Sequence, residues 1–458
     1  MTLIKSISGM RGTLGGQPGD NLTPVDIIEF TSAYGTLLLR NNRTPKVVIG
    51  RDGRVSGPQV EALVVNTLSM LGIDVINAGL STTPTVEMEV VAQGAGGGII
   101  ITASHNDMRY NALKFLNEHG NFINAAEGQE LLDLAAERNF DFALAADLGQ
   151  VTEVHDAMVR HVSEIAKLPT VQLDAIRKRN FTIVVDCINS TGALALPILS
   201  DELNCNCILI NEAIDGTFAH NPEPLEHNLL DLSKAVVDNK ADMGIALDPD
   251  VDRLAFVDET GKYCGEEYTL VMVANYLLGE TPGPTVSNLS STKALRDVTE
   301  KHGQSYYAAA VGEVNVVTKM TEVGAVIGGE GNGGIIYPAL HAGRDALVGI
   351  ALIMSALATQ DQTLSAYRKL CPDYIMTKDK IQLTPELDVD GLLSKVAAHY
   401  KDHELDTQDG VKIYIRNGWA HLRKSNTEPI VRIYTEGQDQ EEAQGIAKEV
   451  KDLVAGII

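Results

Sequence analysis

Apolar runs and polar breaks alternate along the first third of the chain in a strand–helix rhythm. Lys46-Val-Val-Ile-Gly50 reads as a buried strand that runs into the polar segment Arg51-Asp-Gly-Arg-Val-Ser-Gly57, after which Pro58 opens a helix to about Leu71. Ile73-Asp-Val-Ile-Asn77 reads as the next strand, Thr82-Thr-Pro84 opens another helix, and Gly96 to Thr102 is a strand again. Upstream, Thr23-Pro24 combines an N-cap residue with Pro at the first helical position, and Asp26 suits the positive end of that helix. Strands so evenly apolar are those of sheets covered by helices, which gives an α/β class.

The rhythm returns twice. Phe181-Thr-Ile-Val-Val-Asp186 leads through Ser190-Thr-Gly192 into an Ala/Leu-rich helix, and Pro284-Thr-Val-Ser287 leads through Ser290-Ser-Thr292 into a helix passing Leu295. This predicts three related α/β units of domain size. The tail differs. Val411 to Arg416, Trp419 to Arg423 and Ile430 to Tyr434 alternate like half-exposed strands, and a helix from Glu441 to Val454 closes the chain, which predicts a smaller α+β domain. The apolar stretch from Leu347 to Ala358 is too short to span a bilayer and reads as a buried helix.

A length of 458 residues with 44% hydrophobic and 21% charged residues suits a globular protein of about three or more domains. The formal net charge of −24 disfavours nucleic acid and anionic membranes as partners, but not a small phosphorylated metabolite, which needs only a local group of cations. The N-terminus lacks the pattern of a signal peptide. The five cysteines, Cys187, Cys205, Cys207, Cys264 and Cys371, form no CxxC pair and read as reduced thiols of a cytoplasmic protein.

Two segments carry the chemistry. Asp248-Pro-Asp-Val-Asp-Arg253 places carboxylates at i, i+2 and i+4, which in an extended segment share one face. Three such groups repel unless a cation joins them, and an all-oxygen set suits Mg²⁺. An EF-hand loop is excluded by Arg253 at the position requiring Gly and by strand-like flanks; a polar turn between strands is the plain alternative. Ile99-Ile-Ile-Thr-Ala-Ser-His-Asn106 runs a strand into a loop bearing Ser104 and His105, without the GxSxG elbow of a hydrolase. A serine able to carry a phosphoryl group and a hard-cation site able to neutralise it together suggest phosphoryl transfer.

Gly329-Glu-Gly-Asn-Gly-Gly334 matches GxGxxG, but Ile335-Ile-Tyr-Pro338 follows where a dinucleotide fold needs a helix. What remains is a loop offering Glu330 and Asn332, either a plain turn or a reader of sugar hydroxyls. Arg423-Lys-Ser-Asn-Thr-Glu-Pro429, with Arg432 behind it, reads as an anion cradle; its alternative is a capping box from Ser425 to Glu428.

In this order, together with Ser8-Gly-Met-Arg-Gly12, these motifs resemble the α-D-phosphohexomutase family over essentially the whole chain, and most of all its archaeal-type phosphoglucosamine mutase branch. The resemblance implies three similar mixed α/β domains and a C-terminal α+β domain around a central cleft, the last a mobile lid, with the division expected at 1–156, 157–258, 259–372 and 373–458. It implies that Ser104 is a phosphoserine and that Asp248, Asp250 and Asp252, with a phosphoserine oxygen, hold Mg²⁺. Arg11, His105, Lys114 and Arg253 would belong to the transfer site, with Lys114 the candidate for proton handling. Glu330 and Asn332, with Gly312 and Glu313, would read the sugar; Arg423, Ser425, Asn426, Thr427 and Arg432 would grip the phosphate not being transferred. The implied reaction interconverts hexose 6- and 1-phosphates, glucosamine phosphate first and glucose or mannose phosphate as the alternative, with a hexose 1,6-bisphosphate as intermediate and activator. A phosphatase acting through the same serine is the alternative from another class. Three positions depart from the family pattern: Asp107 replaces a Pro, Pro249 replaces a Gly, and Gly334 replaces a His, for which His341 is a candidate substitute.

Overall fold

The computed structural model describes residues 2–6, 9–382, 388–424 and 430–457. It divides into two compact units, Met1–Thr269 with Gly333–Tyr367, and Leu270–Asn332 with Arg368–Ile458.

In the first unit a seven-stranded mixed sheet has the spatial order Ile4–Ser6, Gly9–Thr13, Tyr110–Leu116, Gly97–Ile101, Lys46–Arg51, Asp74–Leu80, Val151–Glu153. The last four run parallel and the first four pair antiparallel. Helices Pro24–Arg40, Gly57–Met70, Thr83–Ala92 and Ala125–Glu137 flank it, and Phe30, Tyr34, Leu37, Ile99 and Phe115 fill a core on one face. Thr23 and Asp26 close a capping box at the first helix, where the Thr-Pro pair predicts a start.

A second, four-stranded sheet runs Leu254–Asp258, Met243–Leu247, Thr182–Asp186, Asn206–Ile210; the first two strands form an antiparallel pair and the others are parallel. The aspartate segment is the connection within that antiparallel pair. Ala346–Gln360, the expected buried helix, is buried from Ala346 through Leu357 and packs on Leu173–Arg179 and Ala157–Ala166. Among the described residues no helix is long and apolar enough to cross a membrane.

In the second unit, Tyr306–Ala309, Thr285–Asn288 and Ile327–Glu330 are parallel neighbours in that order. A five-stranded antiparallel sheet follows, Ile375–Gln382, Ile430–Gly437, Gly418–Lys424, Val411–Ile415, Glu404–Asp406, with helices Val389–His399 and Gln440–Ile457 sharing its core. The α/β material and the α+β tail are thus of the kinds the hydrophobic pattern predicts.

A buried polar connection ties the tail sheet to its neighbour. His421, 1% exposed, has Nδ1 3.0 Å from Ser290 Oγ and Nε2 2.7 Å from the Asp409 carbonyl. Burial, aided by Lys412 and Arg423, depresses its pKa to about 3 even though the Asp409 carbonyl favours the proton. A depressed histidine leaves the folded state short of a proton that the unfolded chain takes up below about pH 6.5. Its contribution is therefore complete above that pH and is lost as pH falls toward 3, by at most about 1.4 kcal/mol per pH unit. We expect His421→Gln to flatten this part of the acid limb in urea unfolding followed from pH 7 to 4. An unchanged slope would show that His421 does not drive it.

Candidate active site

The site in the first unit begins with a bend. After strand Gly97–Ile101, Thr102 donates its hydroxyl to Asp52 Oδ2 at 2.6 Å and accepts the Ser104 amide at 2.9 Å. Ser104 takes a left-handed backbone with φ of 48°, uncommon for a residue with a side chain. That twist turns its hydroxyl toward Asp248 Oδ2, to which it donates at 2.7 Å, while His105 Nδ1 lies 3.4 Å from the Ser104 hydroxyl oxygen.

The three carboxylates meet, but not as an extended segment presents them. The connection 248–252 is a tight loop in which Val251 has φ of 61° and donates its amide to the Asp248 carbonyl. Asp248 Oδ1 accepts the amides of Asp252 and Arg253 at 3.1 and 3.0 Å, folding the loop around that carboxylate. A turn, rather than strand alternation, makes the side chains converge. All three residues are fully buried, with ligand oxygens within 4.8 Å of one another. Among the described residues Asp250 Oδ1 and Asp252 Oδ1 have no hydrogen-bond partner.

Cations surround the trio. Lys114, on strand Tyr110–Leu116, places Nζ 2.8 Å from Asp250 Oδ2 and 3.6 Å from Asp252 Oδ2. Arg344 donates to Asp252 Oδ2 at 2.6 Å, and the Thr83 hydroxyl donates to Asp250 Oδ2 at 2.6 Å. Arg253 lies 3.6 Å from Glu223, and Arg11 donates to Asn106 Oδ1 at 2.9 Å. Burial and then the charges of Asp252 and Asp250 push the Asp248 carboxyl well above the usual range. Burial works in the same direction on Asp250, but Lys114 outweighs it and holds that carboxylate well below. Lys114 is in turn raised against the effect of burial by Asp250 and Asp252. Arg253, burial, Arg11 and Arg344 hold the His105 imidazole well below its ordinary value, which keeps it neutral.

Buried oxygens without donors, in an all-carboxylate set beside a serine hydroxyl, fit a hard divalent cation. The partly compensating Lys114 and Arg344 show how much negative charge the loop carries.

Several contributors were not singled out by sequence reading. Arg54, 1% exposed, pairs with Asp52 at 3.0 Å and donates to the carbonyls of Ser104, Asn106, Asp107 and Tyr110. Its signal was an Arg-Asp-Gly-Arg run after an apolar strand, the same grammar as the Ser104 loop. Ser190 and Thr191 donate to the Pro249 carbonyl at 2.6 and 2.9 Å. Arg344 and Thr83 carry no motif. The family departures fit locally: Asp107 uses only its carbonyl inward and pairs its side chain outward with Arg109, and Pro249 needs no amide because its carbonyl does the bonding. His341 lies 3.3 Å from both Glu87 and Asp345, partners outside the trio and the serine loop.

In the second unit, Glu330 ends strand Ile327–Glu330 and accepts from Asn288 Nδ2 at 2.8 Å and the Gly312 amide at 3.2 Å; Asn332 Nδ2 lies 3.4 Å from its other oxygen. Gly312, with φ of 118°, precedes helix Glu313–Val323. Glu330, Asn332 and Gly312 are thus gathered in one place, with Glu313 next to Gly312 in the chain, and strand Gly334–Ile336 after the glycines rules out the dinucleotide reading. Arg423 and Arg432 sit directly opposite each other on neighbouring strands. Like charges so placed are unfavourable unless an anion lies between them. Arg423 also reaches Asp409 at 3.7 Å, and Arg432 donates to the Tyr434 hydroxyl at 3.2 Å. Ser425, Asn426 and Thr427, and the capping-box alternative there, lie outside the described residues.

Four family models match the chain in succession: phosphoglucomutase/phosphomannomutase α/β/α domain I over residues 3–141, domain II over 159–261, domain III over 265–374, and the C-terminal domain over 382–453. A phosphoglucomutase/phosphomannomutase of Thermococcus kodakarensis is 35% identical over 94% of this chain and 95% of its own. A probable phosphoglucosamine mutase of Methanopyrus kandleri is 32% identical over 98% and 96%. A crystal structure of a phosphoglucomutase/phosphomannomutase family protein from Burkholderia thailandensis aligns with a TM-score of 0.86 at 23% identity, covering 100% of this chain and 98% of that one, a likeness of fold.

Proposed function

The chain belongs to the phosphoglucomutase/phosphomannomutase family of α-D-phosphohexomutases, isomerases that act as intramolecular phosphotransferases, and on that footing we propose that it converts glucosamine 6-phosphate to glucosamine 1-phosphate through a phosphoserine at Ser104. The observation that carries this reading is the 2.7 Å bond from the Ser104 hydroxyl to the buried aspartate trio.

Asp248, Asp250 and Asp252 would hold Mg²⁺, which when bound would supply positive charge to the oxygens of the transferring group. In the first half-reaction the P–Oγ bond of phosphoserine breaks as the phosphorus bonds to a free sugar hydroxyl. That hydroxyl gives up its proton and Ser104 Oγ takes one, with Lys114 as the relay. Arg11 and Arg253 add donors to the transferring group, while neutral His105 stays close to the serine. After the bisphosphate turns over, its other phosphoryl group returns to Ser104. Arg423, Ser425, Asn426, Thr427 and Arg432 would grip the phosphate at rest, and Glu330, Asn332, Gly312 and Glu313 the sugar, supplying binding energy remote from the reacting bond. The division at 1–156, 157–258, 259–372 and 373–458, and a cytoplasmic location, belong to the same proposal.

Freshly purified protein should carry one phosphate on the peptide containing Ser104, read by mass spectrometry and lost on incubation with a hexose monophosphate. Glucosamine 6-phosphate should be turned over faster than glucose or mannose 6-phosphate in the presence of Mg²⁺ and a bisphosphate. The glucose/mannose reading is favoured by the Thermococcus relative's name, and a strong preference for mannose would install it. Inorganic phosphate released in step with substrate loss would instead mark a phosphatase.

A further inference from the structure

A second set of donor atoms converges in the first unit, apart from the aspartate trio. His161 Nε2 lies 2.9 Å from Asp345 Oδ2, and His341 Nε2 lies 3.3 Å from the same oxygen. The three ligand atoms fall within 4.8 Å of one another. His161 and Asp345 are 1% and 0% exposed, and the buried carboxylate of Glu87 stands 3.3 Å from His341 Nδ1.

We propose that His161, His341 and Asp345, with Glu87 beside them, form a binding site for a divalent transition ion of the zinc class. The spacing suits it, since ligands bonded to one ion at about 2.0–2.1 Å stand about 2.9–3.4 Å apart. So does the outer layer, which in metal sites orients each ligand from behind. Thr85 Oγ1, 3.0 Å from His161 Nδ1, turns the opposite nitrogen toward Asp345. Asp345 Oδ1 accepts the amides of Leu347 and Val348 at 2.8 and 3.3 Å at the start of helix Ala346–Gln360, leaving Oδ2 to the imidazoles. Two imidazole nitrogens select against Mg²⁺, which takes oxygen, and for a borderline ion.

Charge points the same way. Two buried carboxylates beside two imidazoles require a cation, a proton or a metal. Glu87 and Asp345 both stand 3.3 Å from His341, and a bound ion would take the place of the proton between them. Gly343 lets the loop close on Glu87, because a Cβ there would meet Glu87 Oε2 at 1.8 Å. Helix Thr83–Ala92 presents Thr83 to Asp250, Thr85 to His161 and Glu87 to His341, and Arg344 next to Asp345 reaches Asp252. The ion would therefore pin the two segments that aim Thr83 and Arg344 at the trio.

Equilibrium dialysis of the whole chain against Co²⁺ in saturating Mg²⁺, with visible absorption as a second readout, tests this. One Co²⁺ per chain is expected in the wild type and in Asp248→Asn. His161→Gln and His341→Gln should lose Co²⁺ by more than the about 10–100-fold that removal of an outer partner costs, and Thr85→Ala by about that amount. Thr85→Ala, which keeps every ligand, remains readable should the histidine variants fail to fold. Absence of Co²⁺ under Mg²⁺, binding lost in Asp248→Asn, or binding indifferent to the His161, His341 and Thr85 variants would overturn the proposal.

Discussion

Ser104→Ala is expected to abolish mutase turnover, by about 10⁴-fold or more, while the protein still folds. The nucleophile of a covalent mechanism has no substitute, and His105, held neutral by Arg253 and its own burial, lies 3.4 Å from the serine oxygen without replacing it. The structural cost is small. Alanine tolerates a φ of 48° about as well as serine does, and the lost partner of Asp248 Oδ2 is one hydrogen bond, about 1–3 kcal/mol. A coupled assay for hexose 1-phosphate formation, beside a urea melt of the same preparation, separates the two effects. Turnover that survives the substitution would remove Ser104 from the chemistry and with it the phosphoserine route.

Arg54→Ala is expected to be among the most destabilising single changes in the first unit, by about 3–5 kcal/mol. Its guanidinium donates to the carbonyls of Ser104, Asn106, Asp107 and Tyr110, and it also meets Asp52. Removal leaves a row of buried acceptors and an uncompensated carboxylate at Asp52, which burial already pushes upward and Arg54 counters. The ring of Phe218, 5.0 Å from the guanidinium, loses its cation as well. Lysine should rescue little, because a point charge cannot fork to several acceptors at once. Urea unfolding gives the number, and the double variant with Asp52→Asn should lose less than the sum of the two single changes. Simple additivity would show that the pair does not act as a unit.

Much of this architecture is legible in the sequence because burial writes itself into composition. Ile99 to Ile101 is a strand with every residue inside, and Leu347 to Leu357 is a helix with every residue inside; both read directly from unbroken apolar runs. The candidate site groups were legible for a different reason. A serine after a strand and three alternating aspartates are unusual enough to demand an explanation. The route by which the aspartates converge was not legible, because a left-handed Val251 leaves no mark that a reader of periodicity can see. Arg344, Thr83 and His161 were missed because their partners are 92 to 184 positions away along the chain, separations that carry no spacing signal, and His341 was read only as a substitute for the family histidine.

The backbone twist at Ser104 bears on which alcohol can serve there. By reactivity alone threonine would do, since it too carries a hydroxyl that accepts phosphoryl groups. But a φ of 48° sets a β-branched side chain against its own main chain, while serine passes. For the proposed nucleophile, torsional geometry thus weighs against the exchange that chemistry would most readily forgive, a strain the fold accepts for a branched side chain at Val251.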